Sequence, residues 1–141
     1  MDDIFQRIIT RDIPADVVYE DSATLAFLDI HPTNPGHTLI VPKEKARDIF
    51  TVSEEAFLAI ARAARKIAPA LVEAVRARGL NIVVNNKSAA GQIVPHLHMH
   101  LIPRFDNDGL HPWPAKEYAP HEAKKIAEKI RAALGEESTA Q

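Results

Sequence analysis

The chain is predicted to fold as an α+β domain, and three features of its 141 residues predict it. Short strand-like segments recur along most of its length. One long helical pattern interrupts them between residues 53 and 78. A strictly alternating polar and apolar stretch, Pro95-His96-Leu97-His98-Met99-His100-Leu101-Ile102-Pro103, follows it, and that alternation is the period of a strand.

Each element has a local reason. Ile4, Phe5, Ile8 and Ile9 recur at helical spacing, so Asp3 to Ile9 reads as a short helix that Pro14 ends. Val17 to Glu20 and Thr24 to Ile30 read as two strands, and the polar link Asp21-Ser22-Ala23 makes them a hairpin. His31 to Gly36 is rich in turn formers. His37 to Val41 is a third strand, ended by Pro42, and Lys43 to Phe50 reads as a short helix. Ser53 caps the long helix, and Phe57, Ile60, Ala64, Ile67, Leu71 and Val75 form its apolar stripe. Gly79 stands where that helix should stop, and Pro69 should kink or split it. Leu80 to Asn85 and Val94 to Ile102 are the last strands, joined by the small polar stretch 86–92. Beyond Arg104 the chain becomes loop-like, with Pro112, Pro114 and Pro120, and Trp113 is expected to pack locally. A final helix is expected from His121 to Leu134. No shift in composition marks a boundary, so the expectation is one domain over residues 1–141.

Composition bounds the function. Seventeen Lys plus Arg against 19 Asp plus Glu give a net charge of −2. That excludes a basic nucleic-acid sleeve, and it excludes an acidic tail. The chain has no Cys, so disulfides, thiol nucleophiles and thiolate zinc sites are all ruled out. No segment approaches the roughly 20 apolar residues of a membrane span, and the acidic Met1-Asp2-Asp3 start is unlike a signal peptide. A cytoplasmic protein with no membrane partner is expected. The distinctive feature is histidine: seven in all, three of them within five residues.

In a strand, residues two apart share a face. His96, His98 and His100 would therefore line one face at roughly 6.8 Å spacing, with Leu97, Met99 and Leu101 on the other, packed on a helix. Three readings compete for such a face: incidental solvated histidines, a metal site in which three imidazoles leave one position open, and a phosphate-transfer site in which one imidazole attacks phosphorus. A free imidazole titrates near pH 6.5, so much of it is neutral and nucleophilic at pH 7. Crowding three together penalises protonating them all.

The run His96-Leu97-His98-Met99-His100-Leu101-Ile102 resembles the motif of the histidine triad superfamily, His-φ-His-φ-His-φ-φ with φ apolar. Asp3 to Ile9, Ile13-Pro14-Ala15, Leu25 to Ile30, Gly36 to Lys43, and Asn85 followed by Gly91-Gln92 resemble further family segments in family order. The resemblance covers about residues 3–105 and leaves 106–141 as a tail. It implies an α+β fold with a mostly antiparallel sheet of about five strands, one long helix and one or two short ones. It also implies a homodimer that cleaves a nucleoside monophosphate, with a purine base, from a phosphoramidate or a dinucleoside polyphosphate. His98 would be the nucleophile, forming a nucleotidyl-histidine that water cleaves. His96 and His100 would support it by binding phosphate and ordering the rings, with His37 as a buttress. Asp29 would accept the ribose hydroxyls. Phe5, Ile8, Phe27 and Ile30 would wall the base, and Asn85, Gly91 and Gln92 would hold the phosphate. Neither cofactor nor metal is implied.

Simpler readings stand beside these. Phe5, Ile8, Phe27 and Ile30 also read as core, Asp29 as a turn residue and Gly91 as a turn glycine with positive φ. Two departures from the family pattern stand out. Ile93 occupies the position after Gly91-Gln92 where many relatives carry Ser or Thr, which removes a hydroxyl near the leaving group. The stretch Asp3-Ile4-Phe5-Gln6 lacks the Cys pair with which some bacterial relatives help bind a structural zinc. The alternatives to nucleotidyl transfer are a metal-dependent hydrolase built on the three-His strand, and a non-catalytic nucleotide-binding protein.

Overall fold

The computed structural model describes residues 2–135. The chain divides into two compact units, one up to Asp108 and one from Gly109. The first unit runs α1 (Ile4–Ile9), β1 (Val17–Glu20), β2 (Thr24–Leu28), β3 (Thr38–Pro42), α2 (Glu54–Val75), β4 (Gly79–Val84), a 3-10 turn (Ser88–Ala90) and β5 (Met99–Arg104). The five strands form one sheet in the order β1-β2-β3-β5-β4, and every neighbouring pair is antiparallel. The α+β class and the five-stranded antiparallel sheet are as the sequence predicts.

The sheet is covered on both faces. Ala26, Ile40, Leu97, Met99 and Leu101 pack against Ile60, Ala63, Ala64, Ile67 and Leu71 of α2. Leu25, Phe27, Leu39 and Val41 point the other way and pack with Phe5 and Ile8 of α1. Alternation along β2 and β3 therefore sorts side chains between two cores, and α1 sits on the face opposite α2.

Several local expectations change. Residues 43–50 form turns and no helix. Asp48 accepts from the Phe50 N–H at 3.0 Å, and the Thr51 hydroxyl accepts from the Arg47 and Asp48 N–H groups at 3.1 and 3.2 Å. These side-chain bonds take donors that a helix would need. Helix α2 starts as expected, with the Ser53 hydroxyl accepting from the Ala56 N–H at 3.1 Å. It runs through Pro69 without a break and ends earlier than predicted, at a left-handed Arg76 with φ 56°. Gly79 instead opens β4, where the Arg78 N–H already donates to the Arg104 carbonyl at 2.8 Å. Strand β2 ends at Leu28, so Asp29 and Ile30 lie beyond it.

The second unit contains α3 (Glu122–Ala133), within the helix predicted from His121 to Leu134, and no described residue of it is buried. Trp113 is 86% exposed, so the expected local packing is not found. No described helix is long and apolar enough to cross a membrane.

Gly36 sets the approach to β3. Its φ is +95°, and a Cβ there would come within 2.9 Å of Val75 Cγ1. Gly36→Ala is predicted to destabilise the fold by about 1–3 kcal/mol, from backbone strain and overpacking together. Urea denaturation of the variant beside the wild type measures this, and equal stability would contradict the packing described.

Candidate active site

Strand β5 begins at Met99, so of the three alternating histidines only His100 lies within the sheet. The predicted strand over 94–102 is shortened because residues 94–96 bend and the Leu97 N–H leaves the ladder for the Ala46 carbonyl at 2.8 Å. The alternation of faces survives. Leu97, Met99 and Leu101 remain in the α2 core, while the His98 and His100 rings lie 4.9 Å apart, tilted by 59°. Phe5 of α1 stands edge-on to His98, with centroids 4.9 Å apart and planes at 71°.

The hydrogen-bond partners fix where each ring carries its proton. His98 Nδ1 lies 2.7 Å from the His96 carbonyl. A carbonyl only accepts, so Nδ1 donates, and the neutral ring keeps its lone pair on Nε2. His96 Nε2 likewise donates to the Pro42 carbonyl at 2.9 Å, which leaves its Nδ1 to accept from the Gln6 amide at 3.2 Å. His37 Nδ1 accepts from the Thr33 backbone N–H at 3.0 Å. The neutral His37 therefore carries its proton on Nε2 and donates it to His100 Nδ1 at 2.9 Å. That in turn places the proton of neutral His100 on Nε2. Two adjacent imidazoles thus have opposite character: His98 offers an unprotonated Nε2 and His100 an Nε2–H donor.

Burial favours the neutral form of three of these rings. Desolvation is the largest influence on His98, His37 and His100, and it lowers each pKa. His100 is pushed down to about 4, with the neighbouring His98 and His37 adding to the effect of burial and Asp29 opposing it.

Asp29, just past β2, performs the turn role with one oxygen, as Oδ1 accepts from the His31 N–H at 2.9 Å. Its Oδ2 faces His37 Nε2 at 3.8 Å. His96 is fully buried with both ring nitrogens engaged, so it reaches His98 through its carbonyl and offers no free donor to a phosphate. Phe5, Ile8 and Phe27 lie in the α1-side core, whereas Ile30 is 76% exposed. Asn85 and Gly91 come together in the β4–β5 connection: a Cβ on Gly91, whose φ is +96°, would sit 3.9 Å from Asn85 Nδ2. Gln92 braces that loop. Its Oε1 accepts from the Lys87 N–H at 2.8 Å, and its amide donates to the Arg47 carbonyl at 2.6 Å. The Gly91 and Gln92 N–H groups are engaged by the Ser88 and Lys87 carbonyls. Thr33, Pro42 and Gln6 complete the site, and sequence reasoning missed all three. Two of them act through backbone atoms, which leave no trace in side-chain pattern.

The sequence assigns no metal ligands, yet Asp29, His37 and His100 offer ligand atoms that all lie within 4.8 Å of one another. Carboxylate and imidazole suit zinc. The set uses one of the three alternating histidines, and one contact opposes it. With the Thr33 N–H on Nδ1, neutral His37 turns a proton, not a lone pair, toward the ion's position. In this arrangement the three residues do not form a ready ligand set.

A protein-family model described as the HIT domain matches residues 10–107, and the chain belongs to this family. A crystal structure of a HIT family member from Bacillus subtilis superposes with a TM-score of 0.87 at 37% identity, covering 99% of this chain and 100% of that one. Adenosine 5'-monophosphoramidase hnt1 of Schizosaccharomyces pombe is 36% identical over 129 residues, 90% of this chain and 94% of the relative. A zinc-bound histidine triad family protein from Mycobacterium smegmatis gives a TM-score of 0.73 at 34% identity, covering 94% of each chain.

The lowered His100 pKa has a signed consequence. The unfolded chain takes up this proton near pH 6.5 and the folded protein only near 4. Stability should therefore fall as pH drops between those values. An NMR titration should place His100 near pH 4, and an ordinary value near 6.5 would contradict the buried, crowded environment.

Proposed function

We propose that this HIT-family protein hydrolyses a nucleoside monophosphate, with a purine base, from a phosphoramidate or dinucleoside polyphosphate. The observation that carries the reading is the His98 Nδ1 contact to the His96 carbonyl at 2.7 Å, which leaves the Nε2 lone pair free. Similarity to the fission-yeast adenosine 5'-monophosphoramidase adds support. In the first step His98 Nε2 forms a bond to the α-phosphorus while the bond to the amine or phosphate leaving group breaks. An amine leaving group takes a proton from solvent water, a phosphate leaves as its anion, and the His96 carbonyl steadies the cationic ring through Nδ1–H. His100 Nε2–H donates to a phosphoryl oxygen as charge grows there, an arrangement of the oxyanion-hole kind. Water then attacks phosphorus and releases a proton to solvent, the P–N bond returns its electrons to His98, and the nucleotide leaves. Asp29 Oδ2 is the proposed partner of the ribose hydroxyls. A phosphate held by the Asn85–Gln92 loop and a base seated near Phe5, Ile8, Phe27 and Ile30 complete the proposal.

The second reading is metal-dependent hydrolysis, favoured by the Asp29, His37 and His100 cluster and by the zinc-bound relative. A protein that only binds nucleotide is the third. One experiment separates them: turnover of adenosine phosphoramidate and diadenosine polyphosphates, with EDTA or zinc added, for the wild type and His98→Ala. Nucleotidyl transfer predicts EDTA-insensitive turnover and an AMP adduct by intact mass, both abolished in His98→Ala. Zinc-dependent turnover that survives in His98→Ala would establish the metal reading. Tight AMP binding without turnover would establish the third.

A homodimer is also proposed. Strand β4 is a sheet edge, and its exposed Ile82 shares an apolar groove with Ala61, Ala68 and Pro69 of α2. Unpaired edges and apolar grooves favour a partner. Light scattering at micromolar concentration should give twice the chain mass, and a monomer there would contradict the proposal.

A further inference from the structure

The mechanism gives no role to two side chains at the start of α1, Asp3 and Gln6, which together with Phe5 lie against the histidines. Asp3, Phe5 and Gln6 all reach them. Asp3 Oδ1 caps the helix by accepting from the Gln6 N–H at 2.9 Å, and its Oδ2 stands 3.6 Å from His96 Nδ1. Phe5 stands edge-on to both His96 and His98, at 6.3 and 4.9 Å between centroids. The Gln6 side-chain amide lies 3.2 Å from the same His96 Nδ1.

We infer that Gln6 is a positioning residue for His98, acting through His96 by holding that buried ring in the tautomer that leaves its carbonyl aimed at His98 Nδ1. This rests on the proposed nucleophilic role of His98.

His96 has no contact with solvent, so each of its nitrogens needs a protein partner. Nε2 faces the Pro42 carbonyl and must carry hydrogen. Nδ1 then holds a lone pair, which requires a donor. Among the described residues the polar neighbours of Nδ1 are the Gln6 amide, which can donate, and the Asp3 carboxylate, which as an anion cannot. Gln6 is therefore what makes the Nδ1 lone pair the satisfied state. Without the amide, the nearby carboxylate favours a proton on Nδ1. The ring then either leaves its Nδ1 lone pair against that carboxylate or moves its proton from Nε2 and sets a lone pair against the Pro42 carbonyl. Either change re-seats a fully buried ring. The His96 carbonyl that orients His98 belongs to the same residue, so the disturbance passes to the nucleophile across one hydrogen bond.

The test uses Gln6→Met, which keeps length and removes the donor, and Gln6→Glu, which replaces the donor with an acceptor. Turnover of adenosine phosphoramidate is measured beside the imidazole ¹⁵N signals of His96 and His98. The expected result for both variants is a fall in kcat of about tenfold to a hundredfold, the scale on which a misoriented catalytic group loses rate. KM should change less than twofold. The His96 Nδ1 signal should shift in both, and the His98 Nδ1–H signal should weaken. Wild-type kcat together with unmoved ring signals in a folded variant would overturn the inference. A loss of kcat with both sets of ring signals unmoved would also overturn it, because the effect would not pass through His96. If the wild type itself shows no turnover, the nucleophile reading fails on its own. The ring signals then decide the Gln6 assignment: a shift at His96 with a weakened His98 Nδ1–H supports it, and unmoved signals refute it. Should Gln6→Met not fold, Gln6→Glu carries the same comparison.

Discussion

The contact between His98 Nδ1 and the His96 carbonyl, 2.7 Å long, is the interaction on which the rest of the site depends. It decides which nitrogen of His98 is free, and a nucleophile with its proton on the wrong nitrogen is no nucleophile. The constraint extends outward. His96 can offer its carbonyl there only because its ring is clamped between the Pro42 carbonyl and Gln6. Those two groups come from the end of β3 and from α1. The sheet order β2-β3-β5 and the seating of α1 on the face opposite α2 therefore bring the proton arrangement about.

The neighbouring pair obeys the same logic with opposite polarity. A backbone N–H, from Thr33, faces His37, where a backbone carbonyl faces His98. One group starts a donor chain that leaves His100 with Nε2–H, and the other leaves His98 with a bare Nε2. Burial makes both arrangements persist, because desolvation disfavours the imidazolium that would erase the distinction. The same Thr33 contact sets the condition for any ion at Asp29, His37 and His100, since that peptide has to release Nδ1 before His37 can turn a lone pair inward.

Much of this was legible in the sequence wherever side-chain pattern carries the information. The alternation from His96 to Leu101 placed Leu97, Met99 and Leu101 in the α2 core, and the stripe from Ile60 to Leu71 located the helix they meet. The turn over residues 43–50 was not legible, because Asp48 and Thr51 capture backbone donors there against the helical preference of their neighbours. Nor was the end of α2, where Arg76 adopts the left-handed conformation expected of a glycine. Within the site, the histidines announced themselves and their partners did not. The Pro42 carbonyl is 54 residues from His96, and Gln6 is 90 residues away. The absence of cysteine from residues 3–6 was visible, but that Asp3 and Gln6 instead surround His96 Nδ1 is a property of the fold.

Backbone groups assign opposite tautomers to His98 and His100. Long-range ¹H–¹⁵N correlation spectroscopy of the histidine rings in the wild-type protein at neutral pH tests it most directly. The proton of His98 is expected on Nδ1 and those of His37, His96 and His100 on Nε2. His98 protonated on Nε2, or His98 and His100 in the same tautomer, would contradict it.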